Sequence, residues 1–289
     1  MEIKSIPEII KEMDSLLKEE KYDEAYQFAK ENINLNKEYI EGEYTFKNLL
    51  EEILFQISIN KEIKRKYPLI LDYSSLYANY GEVLLHFNEN DDAMKSFQLS
   101  HNYNPVNVNS IFGLCELYRK DNNWNEYYNL TIQSFKYSYY PEDLAKSFRN
   151  LSIYYLNEFE DSSNDEDIKL TFCLNRLSEI YDDNSNRAIN ELNEFKDEVS
   201  KLNLKDQFDE YCKMDIEDVR DYLKSKGLPY SASVEVITIC KNLGFQLDED
   251  KKVVPALFYF NIAYDLTKDP AIKDVIDDLN LKVERKLNE

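Results

Sequence analysis

The side chains able to do chemistry are abundant in one type and scarce in the others. The chain of 289 residues carries 56 Asp and Glu, but only two His and four Cys. The histidines, His86 and His101, close successive periodic segments, where an imidazole can meet terminal helix carbonyls. The cysteines, at 115, 173, 212 and 240, are too far apart for CxxC pairs and fall inside apolar helical patterns, so they read as reduced core thiols. No zinc spacing results. The acidic run Asp161-Ser-Ser-Asn-Asp-Glu-Asp167 places oxygens at alternate positions, as a calcium loop does. However, Glu166 stands where that loop requires Gly, and Phe172 where it requires a closing bidentate Glu. The nucleotide and hydrolase signatures G-x-G-x-x-G, G-x-x-x-x-G-K-[ST] and G-x-S-x-G do not occur. The cluster from Tyr137 to Tyr140 could stack on bases, but it has one adjacent Lys and lies at a helix end, which favours packing. The expectation is a chain with no catalytic residue, no metal and no cofactor, which works by binding.

The charge narrows what it binds. Against the 56 acidic residues stand 35 Lys and Arg, a net of −21. Phosphate affinity comes from clustered cations, so nucleic acid and anionic membrane surfaces are both disfavoured. From Glu158 to Asp221 there are 20 acidic and 8 basic residues, a net of −12, so this stretch holds more than half of the excess. Such a run reads as a solvated face. The start has neither a basic n-region nor an apolar h-region, and no window reaches the roughly 18 apolar residues of a membrane span. A cytoplasmic location is expected.

The elements that must position any binding residue are helices. Only 5 Gly and 7 Pro occur, where an average chain of this length would have roughly 20 and 14. Sheets and hairpins consume Gly in their turns, and no stretch shows bounded period-two alternation. With 43% hydrophobic and 13% aromatic residues the chain can bury a substantial core. Periodicity predicts helices at 6–19, 22–34, 40–60, 68–86, 90–102, 106–120, 123–138, 141–158, 165–181, 184–202, 206–212, 215–226, 231–246, 251–267 and 270–287. Ser5 with Glu8, and Ser163 with Glu166, have capping-box spacing, and Asp269-Pro270 reads as N-cap and N1.

Short connections prompt a search for a repeat, and one is present. Tyr77, Tyr80, Gly81 and Leu84 share one face of a helix. After a turn, Ala93, Phe97 and Ser100 share a face of the next, and Pro105 follows. The layout returns as Cys240, Leu243, Gly244 and Leu247, then Ala256, Phe260 and Ala263. Small residues at these places let helix backbones approach while the aromatics fill the flanks.

This pattern resembles the tetratricopeptide repeat, W-x2-L-G-x2-Y, then A-x3-F, then P. Residues 74–107 match at Gly81, Ala93, Phe97 and Pro105, and residues 237–270 at Leu243, Gly244, Ala256 and Phe260. Residues 108–141 keep Ile111, Leu114 and Tyr118 but have Cys115 for the small Gly and Tyr127 for the Ala; residues 6–39 keep Ala25. The resemblance covers about half of the chain and fails over 142–227. It implies an all-α fold, an α-solenoid of antiparallel helix hairpins with an irregular helical middle section. The corresponding domains are a degenerate repeat at 1–66, repeats at 67–141, an acidic irregular region at 142–227, and a C-terminal repeat with a capping helix at 228–289.

The resemblance also implies that the first helix of each unit lines a concave, protein-binding groove. Its contact positions fall on Ser75, Ala78, Glu82 and Leu85, then on Asn109, Phe112, Glu116 and Arg119. Glu82 and Glu116 stand where one subgroup of the family holds a peptide carboxylate with neutral or basic groups, so that mode is rejected. An acidic groove centred on Phe112 suits a basic or mixed peptide. The expected function is a non-enzymatic scaffold or adaptor for a protein or peptide. The alternative is a peptide-sensing regulator, set back by the lack of an evident DNA-binding region in residues 1–60.

Overall fold

A computed structural model describes residues 4–36, 39–63 and 67–287. Residues 37–38 of the weak repeat at 6–39, and the expected boundary at 66, lie outside them. Among the described residues there are fifteen helices and no strand. They fall into two compact units, one ending at Leu130 and the other beginning at Thr131.

The first unit contains α1 (Ile6–Lys18), α2 (Tyr22–Asn32), α3 (Leu49–Ser58), α4 (Tyr73–His86), α5 (Asn90–Tyr103) and α6 (Val108–Lys120), and α7 (Trp124–Tyr137) begins in it. The Ser5 box is present, with the Ser5 N–H donating to Glu8 at 2.8 Å. The helix expected at 40–60 is shorter. Gly42 takes φ +87°, and the Asn48 side chain caps α3 by accepting from the Glu51 N–H at 3.1 Å. Likewise α4 starts five residues after Pro68, because Asp72 is its cap and accepts from the Ser75 N–H at 3.0 Å. One core joins Ile9 and Met13 of α1, Ala25 and Ala29 of α2, Tyr77 and Leu84 of α4, Phe97 of α5 and Leu117 of α6.

The close approach of α4 and α5 follows from their small residues. Ser74, Ser96 and Ser100 are buried between them, with Ser100 Oγ donating to the Ser74 carbonyl at 2.8 Å and Ser96 Oγ to the Tyr77 carbonyl at 2.8 Å. The ring of Phe97 occupies the space left by missing side chains. A Cβ on Gly81 would stand 2.7 Å from it, and one on Gly113 of α6 would stand 2.2 Å from it. Gly113 was not singled out by the repeat pattern, which puts Cys115 at the small position.

The second unit contains α8 (Pro141–Ser162), α9 (Asp165–Tyr181), α10 (Asn186–Lys201), α11 (Lys205–Tyr211), α12 (Ile216–Ser225), α13 (Val234–Glu249), α14 (Val253–Thr267) and α15 (Pro270–Leu287). The cap of α9 is Asn164, which accepts from the Glu166 N–H at 3.1 Å. Ser163, expected to cap it, takes φ +54° and terminates α8 instead. The α13–α14 pair reproduces the α4–α5 contact. A Cβ on Gly244 would lie 2.7 Å from the Phe260 ring, while Ala256 and Ala263 are fully buried. Phe172, Phe195, Phe208 and Leu156 form a separate cluster among α8, α9, α10 and α11. No described helix is long and apolar enough to cross a membrane.

Candidate functional site

The face expected to bind is carried by α4 and α6. On α4, Ser75 is half-buried with its N–H engaged by Asp72 at 3.0 Å, and Glu82 is exposed. Leu85 packs against the core of its unit, and Ala78 is only 3% exposed. On α6, Asn109 is exposed and its N–H donates to Asn107 Oδ1 at 3.0 Å. Phe112 is 4% exposed, so its ring is not presented to solvent as the centre of an open groove. The run Ser110 to Cys115 is buried at every position, which leaves α6 no wide polar side through its middle. Glu116 and Arg119, one turn apart, form an ion pair at 2.8 Å, so Glu116 adds less negative potential than its charge suggests. The accessible groups on this face are therefore Glu82 and Asn109, with Ser75, Glu116 and Arg119 partly so.

A second constellation lies in the other unit, where the sequence showed no repeat register. Arg149 projects from the buried middle of α8 and is 5% exposed. Its Nε donates to Glu191 of α10, and Lys146 and Arg187 pair with the same carboxylate. Burial alone would push the Glu191 carboxyl up, but Lys146, Arg187 and Arg149 outweigh it and hold it at about 2. Arg149 Nη2 is 3.8 Å from Asp182 Oδ2, beyond hydrogen-bond reach. Asp182 itself accepts from the Ser185 hydroxyl at 2.7 Å and the Ser185 N–H at 3.2 Å, which fixes the start of α10.

Arg149 and Asp182 border a cleft of about 310 Å³, lined also by Asn175, Arg176, Glu179 and Leu192 among others. Both Nη atoms of Arg149, Nδ2 of Asn175 and Nε of Arg176 are buried without a hydrogen-bond partner among the described residues. Arg176 keeps one bond, from Nη1 to Glu179 at 2.8 Å. Sequence reading passed over this cluster because its members sit far apart in the chain, and Asn175, Arg176, Asp182 and Glu191 fall within the Glu158–Asp221 stretch that reads as a solvated acidic face. The one available signal was an arginine flanked by Phe148 and Leu151 on a buried helical face.

The thiols are electrostatically quiet. Burial pushes Cys173 up to about 11 and Cys240 up to about 12. His101 is depressed by burial, and His86 stacks on Tyr22 with ring centroids 3.8 Å apart. Among the described residues no group of three or more His, Cys, Asp and Glu is placed to hold a metal ion.

No protein-family pattern matches the chain, and no curated protein matches it in sequence.

Proposed function

We propose that this chain is a non-enzymatic scaffold built on tetratricopeptide-like helix hairpins, and that it binds a basic or mixed peptide segment of another protein. The observation that carries this reading is the recurrence of one contact. Gly81 against Phe97 and Gly244 against Phe260 have the same sequence spacing and the same 2.7 Å approach. Repeating a helix-pair geometry is the way solenoids generate extended binding faces. On this reading the α4–α6 face recognises its partner through Glu82 and Asn109, with the Glu116–Arg119 pair able to exchange partners on binding. Phe112 supports the face from beneath.

Panning a displayed peptide library on the full chain, followed by anisotropy titrations of the enriched peptides, tests the proposal. Lys- and Arg-containing peptides are expected to be enriched. Glu82→Lys should weaken them on the order of five- to tenfold at low salt, with less effect at high salt. Enrichment of no peptide, or equal binding by Glu82→Lys, would refute the assignment of this face.

A further inference from the structure

We propose that the cleft bordered by Arg149, Asn175 and Arg176 binds a small monocarboxylate with a short apolar body. Three residues that border the cleft carry four buried N–H-bearing nitrogens without a hydrogen-bond partner: Nη1 and Nη2 of Arg149, Nδ2 of Asn175 and Nε of Arg176. Buried donors are rarely left unpaired, and Asn175 is only 2% exposed. The guanidinium stays charged at any physiological pH, and its Nη edge, 3.8 Å from the Asp182 carboxylate and without a hydrogen bond, has the fork geometry that matches a carboxylate. It is also held in place beforehand, because its Nε is tied to Glu191 and Glu191 is anchored by Lys146 and Arg187. Glu191 is shared by three cations, so it does not neutralise Arg149 alone.

The rest of the lining selects among anions. Glu179, Asp182 and Asp183 border the same cleft, so repulsion falls harder on a dianionic phosphate than on a planar monoanion. Ile180, Ala188 and Leu192 supply apolar lining for a short hydrocarbon body. The volume of about 310 Å³ lies at the lower end of small-molecule sites, which suits a small ligand.

The test uses the full chain, uniformly labelled with ¹⁵N, titrated with acetate, butyrate, inorganic phosphate and sodium chloride at matched ionic strength. Side-chain arginine resonances and the melting temperature are the readouts. Saturable shifts at Arg149 are expected with both carboxylates. Butyrate should bind roughly fifteenfold more tightly than acetate, since each of its two extra methylenes contributes about fourfold when buried. Asn175→Leu spares the Arg149–Glu191 pair and should weaken butyrate by about tenfold. Should that variant fail to fold, Arg176→Lys, which keeps the charge facing Glu179 and removes Nε, carries the same expectation. No saturable response beyond that of chloride overturns the proposal and leaves ordered water as the occupant of the cleft. Saturation by phosphate in place of butyrate overturns the carboxylate assignment, and unchanged affinity in the folded variant places the anion elsewhere.

Discussion

Replacing Gly113 by Ala sets two opposed effects against each other, and the geometry decides the sign. In a helix interior the change from Gly to Ala favours folding by about 1 kcal/mol. Here the new Cβ would lie 2.2 Å from Cζ of Phe97, 2.3 Å from one ring Cε and 2.5 Å from the other. Reaching ordinary contact requires the ring to retreat by about 1.2 Å, a distance over which packing is steeply repulsive. The ring tip of a flexible side chain could move cheaply, but Phe97 is 2% exposed and the same ring is already close against Gly81, where an added Cβ would stand 2.7 Å away. Retreat from Gly113 is therefore confined, which puts the cost at the upper end of the overpacking range, about 2–3 kcal/mol. The net expectation is a loss of about 1–2 kcal/mol. The chain has one tryptophan, and Trp124 lies edge-on to Tyr127 at 5.2 Å in the same unit, so its fluorescence follows unfolding of the unit concerned. The urea midpoint should fall by about 0.5–1 M. Adding Phe97→Leu should couple favourably to the glycine change by about 1 kcal/mol, because the smaller side chain removes the clash. A Gly113→Ala protein as stable as the parent, or more stable, would refute the packing argument and leave helix propensity in control.

Other consequences follow from the same structure. Glu191, held at about 2 against an ordinary 4.5, contributes stability that is fully present above pH 4.5 and is lost as pH falls toward 2. This difference amounts to about 3 kcal/mol, and Glu191→Gln should flatten the acid limb of a melting-temperature profile while lowering its plateau. Lys251 follows α13 with φ +61°, and its N–H donates to the Asp248 carbonyl at 2.9 Å. Lys251→Gly should raise stability by about 0.5–1 kcal/mol in thermal melts, and a loss would show that the side chain contributes more than the backbone strain. Cys115, Cys173 and Cys240 are buried while Cys212 is half-buried, so Ellman's reagent at pH 8 should modify at most one thiol quickly in the native chain. Cys212→Ser should abolish that fast phase, and rapid reaction at more than one site would contradict the burial.

The sequence by itself determined the helices and where most of them end. Pro141 and Pro270 open α8 and α15 at the expected residues, because proline fixes φ and lacks the N–H that the first turn cannot use. It also determined the paired small and aromatic positions, since Gly81 with Phe97 and Gly244 with Phe260 recur at one spacing in a chain with 5 Gly. Part of the low Gly count has a local cause that only the backbone revealed: Asn60, Asn88, Asn122 and Asn203 adopt the left-handed conformation that glycine usually fills. Caps misled where two candidates adjoined, as Ser163 and Asn164 did, because their side chains offer similar oxygens and the chain path decides between them. What tertiary structure alone decided was exposure and convergence. Phe112 has the periodicity of a groove residue yet is buried, since helical period specifies a face without specifying what covers it. Arg149, Asn175, Arg176 and Glu191 lie on three helices and meet only because α8, α9 and α10 pack together. Burial then makes their charges matter, because a guanidinium removed from water must find its acceptors nearby.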